Sequence, residues 1–261
     1  MTASIELAIS RGAAADRLGL AFFGGYRAAI TVLDPSLGPE AIGALCATED
    51  GGGHPRAIKT TLRDGVLHGT KHFVSGGSQA THLLVVVLIG ERDARPELKV
   101  ARVPAKAAGV RVEDLPPLDF VPEVPHGSVT FDGARVEAVL EGDGYERYLK
   151  PFRTIEDLHV FAAVVSCLLA NGQALPHASQ ERLLAVLAAL RQLAGQGASD
   201  PMTHRALAGV LALARETIDA LDLSRFEPGF RERLERDRPL LKIAEKVREQ
   251  RRQRAWEPGR T

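Results

Sequence analysis

The residues from Cys46 to Gly53 have the types and spacing needed to hold a polar ligand. A short apolar run over residues 44–47 predicts a strand, which ends at Thr48 and is followed by a glycine triplet. Because glycine lacks a Cβ, its backbone can approach a ligand closely and present N–H donors to it. A glycine triplet alone is also typical of a surface turn. The interpretation therefore depends on the residues that follow.

The segments downstream of this turn form an ordered pattern. They are Ile58–Lys59–Thr60, the run from Leu67 to Gly77, the apolar run from His82 to Val87, the run from Phe131 to Val136, and Gly142–Asp143–Gly144–Tyr145. In this order they resemble the middle domain of the acyl-CoA dehydrogenase family. That domain reads Cys-x-Thr-Glu, a glycine-rich turn, Ile-Lys-Thr, Asn-Gly-x-Lys-x-Trp-Ile-Thr/Ser, a hydrophobic strand and Phe-Asp-x-Val-x-Val-Pro. The resemblance covers roughly residues 45 to 172, and the chain looks like an abbreviated member of about half size, lacking most of the N-terminal helical domain and the usual C-terminal end.

The resemblance implies a cofactor and a reaction. The family uses FAD to oxidise an acyl-CoA thioester: a carboxylate removes the α-proton while the β-hydrogen leaves as hydride. Electrons then pass to a flavoprotein or a quinone system. The implied cofactor-binding residues are Thr48, Gly51, Gly52, Gly53, Phe73 and Ser75. Thr48 and Ser75 match hydroxyls that contact the flavin ring, and Phe73 stands where the family often has tryptophan. The alternatives are a strand-end threonine that serves a backbone partner and a core phenylalanine.

The sequence departs from the family pattern in three places. His54–Pro55 stands where the family has Ser-Asp, so His54 is either a replacement substrate-binding residue or an ordinary exposed histidine. No Arg-x-x-Phe-Gly phrase, whose arginine reaches the flavin pyrophosphate across a subunit interface in the family, follows Gly172. The late C-terminal glutamate that most members use as the base is also missing. These departures put the cofactor site and the base in question.

Glu156 is the candidate base. A minority of the family places the base on the first C-terminal helix, and Glu156 in the phrase Thr154 to Leu158 falls at that position. The alternative is a helix-start acid, because Thr154 and Asp157 have the spacing of a capping box and the helix dipole favours carboxylates in a first turn. A base at this place works only if burial raises its pKa more than the dipole lowers it.

The pattern of elements predicts an α+β fold. Residues 1–44 form a short N-terminal helical segment, residues 45–150 an antiparallel β-barrel or sandwich, and residues 151–261 a C-terminal helical bundle. The resemblance implies that the middle domain holds flavin and acyl-CoA. Two helical stripes look too apolar for a short bundle to bury alone, which predicts association. Their members are Leu183, Leu184, Val186, Leu187 and Leu190 on one helix and Leu207, Val210, Leu211 and Leu213 on the next.

Composition excludes several classes of protein. Lys plus Arg and Asp plus Glu both number 33, so no global charge favours nucleic acid. The two cysteines, Cys46 and Cys167, are far apart, and no cluster of His or Cys has metal-ligand spacing. No apolar run is long enough to span a membrane, and the N-terminus has no signal-peptide core. We therefore expect a cytoplasmic protein without a metal site.

Three functions fit these observations. The first is α,β-dehydrogenation of an acyl-CoA or related acyl thioester. The second is a catalytically degenerate subunit that pairs with a full-length homologue. The alternative assembly is a homo-oligomer. The third is a flavin monooxygenase or oxidase on the same scaffold, which needs no acyl-CoA.

Overall fold

The computed structural model describes residues 2–38 and 40–257, so the outermost ends of the predicted N- and C-terminal helical segments lie outside the described residues. The chain divides into two compact units. The helical unit contains residues 1–32, 118–123 and 153–261, and the sheet unit contains residues 33–117 and 124–152. Each unit is described by itself.

The sheet unit is built on one curled sheet of eight strands. The strands are β1 (Gly43–Cys46), β2 (Thr61–Arg63), β3 (Val66–Ser75), β4 (His82–Arg92), β5 (Arg95–Pro104), β6 (Val110–Asp114), β7 (His126–Arg135) and β8 (Ala138–Val139). Their order is β6-β7-β3-β2-β4-β5-β8, and β1 pairs with β4 outside this path. The predicted α+β class, with a β middle region followed by C-terminal helices, is confirmed.

The sheet is mixed rather than purely antiparallel. Most pairs are antiparallel, but β1 runs parallel to β4 from the pair Gly43 and His82 to the pair Cys46 and Val85. Thr61 on β2 also pairs in parallel with Leu88 on β4. The prediction of antiparallel pairing was wrong for β1, because pairing between strands far apart in the chain has no local signature in the sequence.

The core of the sheet unit explains why these segments form strands. Residues 83–87 of β4 are buried on both faces of the sheet, so they form a continuous apolar run instead of an alternating one. The inward side chains of five strands make one cluster: Ala44, Cys46, Leu67, Val74, Leu83, Val85, Val87, Ala101, Val103, Val129 and Phe131. This packed core holds the ends of β1 and β3, which carry the candidate site.

The helical unit contains seven helices in the described residues. They are α1 (Thr2–Ala13), α2 (Leu18–Leu33), α3 (Lys150–Asn171), α4 (His177–Leu193), α5 (Pro201–Asp219), α6 (Pro228–Asp237) and α7 (Glu245–Trp256), of which α2 and α3 extend by a few residues beyond the unit boundaries. A Cβ at Gly12 or Gly25 would lie less than 3 Å from backbone atoms of α3, so these glycines let α1 and α2 pack closely against it. None of the described helices is long and apolar enough to cross a membrane.

Helix α3 starts earlier than the sequence predicts. A π-helical turn over Gly144–Leu149 leads directly into it, and the Asp143 side chain accepts the backbone N–H groups of Tyr145 and Glu146. Asp143 is therefore the cap at the start of the helical stretch. The predicted capping box at Thr154 is wrong, and Glu156 lies in the second turn of α3, where the helix dipole has less effect on it.

Helices α4 and α5 bury most of the apolar stripe that suggested association. Leu183, Leu190 and Leu207 are fully buried, and Leu187 and Leu211 nearly so. Leu184 on α4 and Leu213 on α5 are the exposed leucines of these two helices. The premise that a short bundle leaves this stripe uncovered was wrong for the buried members, which other helices of the unit cover, and it holds for Leu184 and Leu213.

Candidate functional site

The glycine-rich stretch forms a tight turn at the end of β1. Glu49 and Gly52 exchange backbone hydrogen bonds of 2.7 and 3.1 Å, and Gly52 has a φ of 92°, which favours glycine. The Thr48 carbonyl accepts the backbone N–H of His72 at 2.8 Å. The structure therefore holds the turn against the second half of β3, and it brings Thr48 and the glycines beside the segment that contains Phe73 and Ser75.

Thr48 and Ser75 present hydroxyls that make no protein hydrogen bond within the described residues. Both side chains are half-buried. By contrast, the nearby Ser78 hydroxyl donates to Asp114 at 2.5 Å, and the Ser128 hydroxyl bonds to His72 at 3.0 Å. A half-buried hydroxyl that needs a partner can bind the polar edge of a ligand. The strand-end threonine uses only its carbonyl for the backbone, so its hydroxyl is available.

Phe73 has a backbone conformation that is rare for a bulky residue. Its φ is 54°, and the pairing of β3 with β7 shifts register between Lys71 and Val74. Its side chain is 68% exposed, so the core interpretation of Phe73 is wrong. A left-handed backbone costs a non-glycine residue on the order of 1–2 kcal/mol. An exposed aromatic ring held at this cost is a candidate for stacking on a ligand.

A buried ion pair lies directly behind this turn. The Lys71 ammonium is 2.7 Å from the Glu49 carboxylate, and their side chains are 0% and 8% exposed. Burial alone would raise the pKa of Glu49, but the Lys71 ammonium and two backbone N–H donors outweigh it and hold the pKa below its usual value. Burial lowers the pKa of Lys71, and Glu49 offsets part of that effect. Each partner therefore favours the charged form of the other, against the effect of burial.

His72 adds a second connection on the solvent side. One ring nitrogen is 3.0 Å from the Ser128 hydroxyl, and the other is 3.0 Å from the Asp50 carboxylate. Although Ser, His and Asp side chains meet here, Asp50 is 98% exposed, so water competes for its contact with the histidine. The chain of contacts therefore joins the turn to β3 and β7.

His54 has a local structural role. Its Nδ1 accepts the backbone N–H of Arg56 at 3.3 Å and caps the short 3-10 turn over Pro55–Ala57. The side chain is exposed. This contact explains the position of the ring without a ligand, and substrate binding by His54 stays a prediction.

Glu156 belongs to the helical unit, on α3. The carboxyl is half-buried, and burial raises its pKa from an ordinary value of 4.5 to about 7, with a further contribution from the neighbouring Asp157. Arg248 and Arg153 act in the opposite direction. Burial therefore outweighs the other effects, which is the condition that a base at this position must meet.

Asp157, the next residue, is held quite differently. Its two oxygens bind Arg248 at 2.8 Å and Arg251 at 2.6 Å, and both arginines come from α7. Thr154 accepts a further contact from Arg251 at 3.3 Å. Both carboxylate oxygens of Asp157 thus bind α7 and join it to α3. Glu156, in contrast, has no ion pair among the described residues.

Sequence reasoning missed Lys71, His72, Asp50 and the α7 arginines. The signal for Lys71 was present, since the family phrase contains a lysine at this position, but its partner lies 22 residues away. The α7 arginines gave no local signal, because their partner Asp157 lies more than 90 residues away. The described residues contain no group of three or more His, Cys, Asp or Glu side chains that could hold a metal ion.

Comparison with known families identifies the sheet unit. Residues 44–134 match the sequence model of the family described as "Acyl-CoA dehydrogenase, middle domain". No curated protein sequence matches the chain.

Comparison with solved structures extends the likeness over most of the chain. Butyryl-CoA dehydrogenase from Megasphaera elsdenii has a TM-score of 0.63 and 14% identity, with 97% of this chain and 80% of that chain covered. FMN-bound TdsC from Paenibacillus sp. A11-2 has a TM-score of 0.70 and 18% identity, with 95% and 82% covered. PigA, solved as an FAD complex, has a TM-score of 0.66 and 14% identity, with 97% and 81% covered.

These comparisons define the class of protein. The chain has the acyl-CoA dehydrogenase fold. Its residues 44–134 match the model of the family's middle domain, and the resemblance found in the sequence is confirmed.

Proposed function

We propose that this protein binds FAD and catalyses α,β-dehydrogenation of an acyl-CoA or a related acyl thioester. The observation that carries the proposal is the half-buried Glu156, whose pKa burial raises to about 7. A carboxylate with a pKa near the working pH is well matched to removing a proton from carbon. The family match of the sheet unit supports the cofactor.

The residues of the sheet unit fit a flavin. Thr48 and Ser75 offer unpartnered hydroxyls for the polar ring edge, and the exposed Phe73 ring offers a stacking surface. In the turn, the backbone N–H groups of Gly51 and Gly53 are the candidate donors, since that of Gly52 bonds to Glu49. A bound flavin supplies the hydride acceptor. FAD is the flavin that we propose for this protein. Because TdsC was solved with FMN, FMN is the second flavin to compare in binding measurements.

Glu156 supplies the proton chemistry. In its ionised form it accepts the α-proton of the thioester at a carboxylate oxygen. Arg248 and Arg153 favour that ionised form, whereas burial and Asp157 oppose it. The balance leaves the pKa of the carboxylate at about 7, so its ionised form is basic enough to take a proton.

The electron acceptor and the assembly are part of the same proposal. We expect an electron-accepting flavoprotein or a quinone system to reoxidise the flavin, and a homo-oligomer or a heteromer with a longer homologue. One sequence feature favours a second function, that of a degenerate subunit in such a heteromer. Residues 173–261 contain no Arg-x-x-Phe-Gly phrase, so a partner could supply the contact to the pyrophosphate.

Replacing both free hydroxyls tests the flavin site. The double variant Thr48→Val, Ser75→Ala is expected to bind FAD about tenfold or more weakly than wild type, because two hydrogen bonds each contribute roughly 0.5–1.5 kcal/mol. Titration of apo-protein followed by flavin fluorescence gives the dissociation constants. The matched control is Thr70→Val, Thr130→Val, which removes the hydroxyls of two half-buried threonines whose backbones are partners in the β3–β7 pair. Equal affinity of wild type and the site variant removes Thr48 and Ser75 from the site.

Phe73→Gly separates a ligand contact from a packing role. Glycine adopts a positive φ without steric cost, so the melting temperature is expected to stay the same or rise, with a gain of up to about 1 kcal/mol. FAD affinity is expected to fall several-fold, since an aromatic contact contributes roughly 0.5–1.5 kcal/mol. Phe73→Trp, which keeps the ring, is the control and should retain affinity. A large loss of stability in Phe73→Gly contradicts this role.

A further inference from the structure

The Glu49 carboxylate connects three segments of the sheet unit. It bonds to the Lys71 ammonium on β3 at 2.7 Å. It also accepts the backbone N–H of Thr60 at 3.0 Å and that of Lys59 at 2.8 Å, just before β2. All these contacts are directional, and the pair is nearly inaccessible to water.

The two ends of this ion pair lie beside the candidate flavin contacts. Glu49 directly follows Thr48 and opens the glycine turn. Lys71 is the last residue of β3 paired with β7 before the register shift, and Phe73 follows two residues later. His72 adds its backbone bond to the Thr48 carbonyl and its contact with Asp50. The position of Thr48 relative to Phe73 and Ser75 therefore depends on contacts that begin at Glu49 and Lys71.

We propose that Glu49 and Lys71 are positioning residues that hold the Thr48–Gly53 turn and the kink at Phe73 in the arrangement that binds flavin. The inference rests on the proposed flavin site. Stability alone does not call for a buried ion pair, because well-packed apolar residues of similar volume often stabilise a fold equally well. Directional contacts from the turn to two other segments, however, fix a geometry that apolar packing leaves free.

The test compares FAD affinity with thermal stability in the double variant Glu49→Gln, Lys71→Met. This variant removes both charges together, so it leaves no buried charge without a partner. We expect it to bind FAD about tenfold or more weakly than wild type, while its melting temperature changes little. The control Asp34→Asn, Arg102→Met removes both charges of a second pair in the same unit, in which Arg102 and Asp34 are 16% and 4% exposed. The control is expected to bind FAD as wild type does.

Amide hydrogen exchange provides a readout that does not need flavin. In the double variant we expect faster exchange at the His72 N–H, which bonds to Thr48, and unchanged exchange in the β4–β5 pair. Wild-type FAD affinity in the double variant overturns the inference. If wild type binds no flavin, the proposed function fails, but the positioning role is still tested by amide exchange at His72. Protection of the His72 N–H that is the same in the double variant and in wild type overturns the positioning role. If the double variant does not fold, Glu49→Asp, which keeps the charge but shortens the side chain, is measured in the same two ways.

Discussion

Glu156→Gln is expected to slow flavin reduction by an acyl-CoA substrate by about 10²- to 10⁴-fold, the usual contribution of a general base. Glutamine keeps the size of the side chain and removes the proton acceptor. In wild type the rate should rise with pH through about 7 and then level off, because the carboxylate accepts a proton only when ionised. Stopped-flow mixing without oxygen, over a range of pH, measures both effects.

The same substitution has an opposite effect on stability. The pKa of Glu156 is raised in the folded protein, so its contribution to stability is fully present below about 4.5 and is lost as pH rises through about 7. Glutamine stays neutral, so Glu156→Gln is expected to raise the melting temperature at pH 8 relative to wild type. The control Glu216→Gln removes an exposed carboxylate from α5 and should change neither quantity. A variant that reduces flavin as fast as wild type contradicts the role of Glu156 as base.

Asp157→Asn is expected to cost about 3–5 kcal/mol of stability, although it lies next to Glu156 in the sequence. The substitution removes the charge that holds Arg248 and Arg251, and two largely buried guanidinium groups then lie together without an anion. A loss of this size lowers the melting temperature by on the order of 10 °C in a protein of this length.

Thermal unfolding followed by circular dichroism measures this loss. Asp219→Asn is the matched control, since Asp219 pairs with Arg238 at 2.8 Å but is 65% exposed, and exposed pairs contribute little. An unchanged melting temperature in Asp157→Asn would show that the link between α7 and α3 does not depend on this carboxylate. The adjacent pair thus predicts a division of roles, with Glu156 affecting activity and Asp157 affecting folding.

The order of elements and the glycine turn were predictable from the sequence because they depend on local patterns. The apolar run of β4 and the turn after Thr48 each have a signature within about ten residues. The start of α3 was not predictable, because the π-helical turn at Gly144–Leu149 extends the helical stretch back to its cap at Asp143. Helix patterns read at a period of 3.6 miss such a turn.

The residues of the candidate site were easier to predict from the sequence than their conformations and contacts. Nothing local to Phe73 indicates a positive φ, since glycine or asparagine is the usual residue there. The pairing of Glu49 with Lys71, and that of Asp157 with the α7 arginines, joins residues 22 and more than 90 positions apart. Such contacts follow from tertiary packing, which also decided that the apolar stripe of α4 and α5 is covered within its own unit.

Anaerobic mixing of the FAD-loaded wild-type protein with a panel of acyl-CoA thioesters tests the proposed function most directly. The account predicts that at least one thioester bleaches the visible absorbance of the flavin and yields the α,β-unsaturated product in equal amount. It also predicts that the Glu156→Gln protein does both about 10²- to 10⁴-fold more slowly. If the wild-type protein binds FAD but no thioester in the panel bleaches the bound flavin, the dehydrogenase function is contradicted.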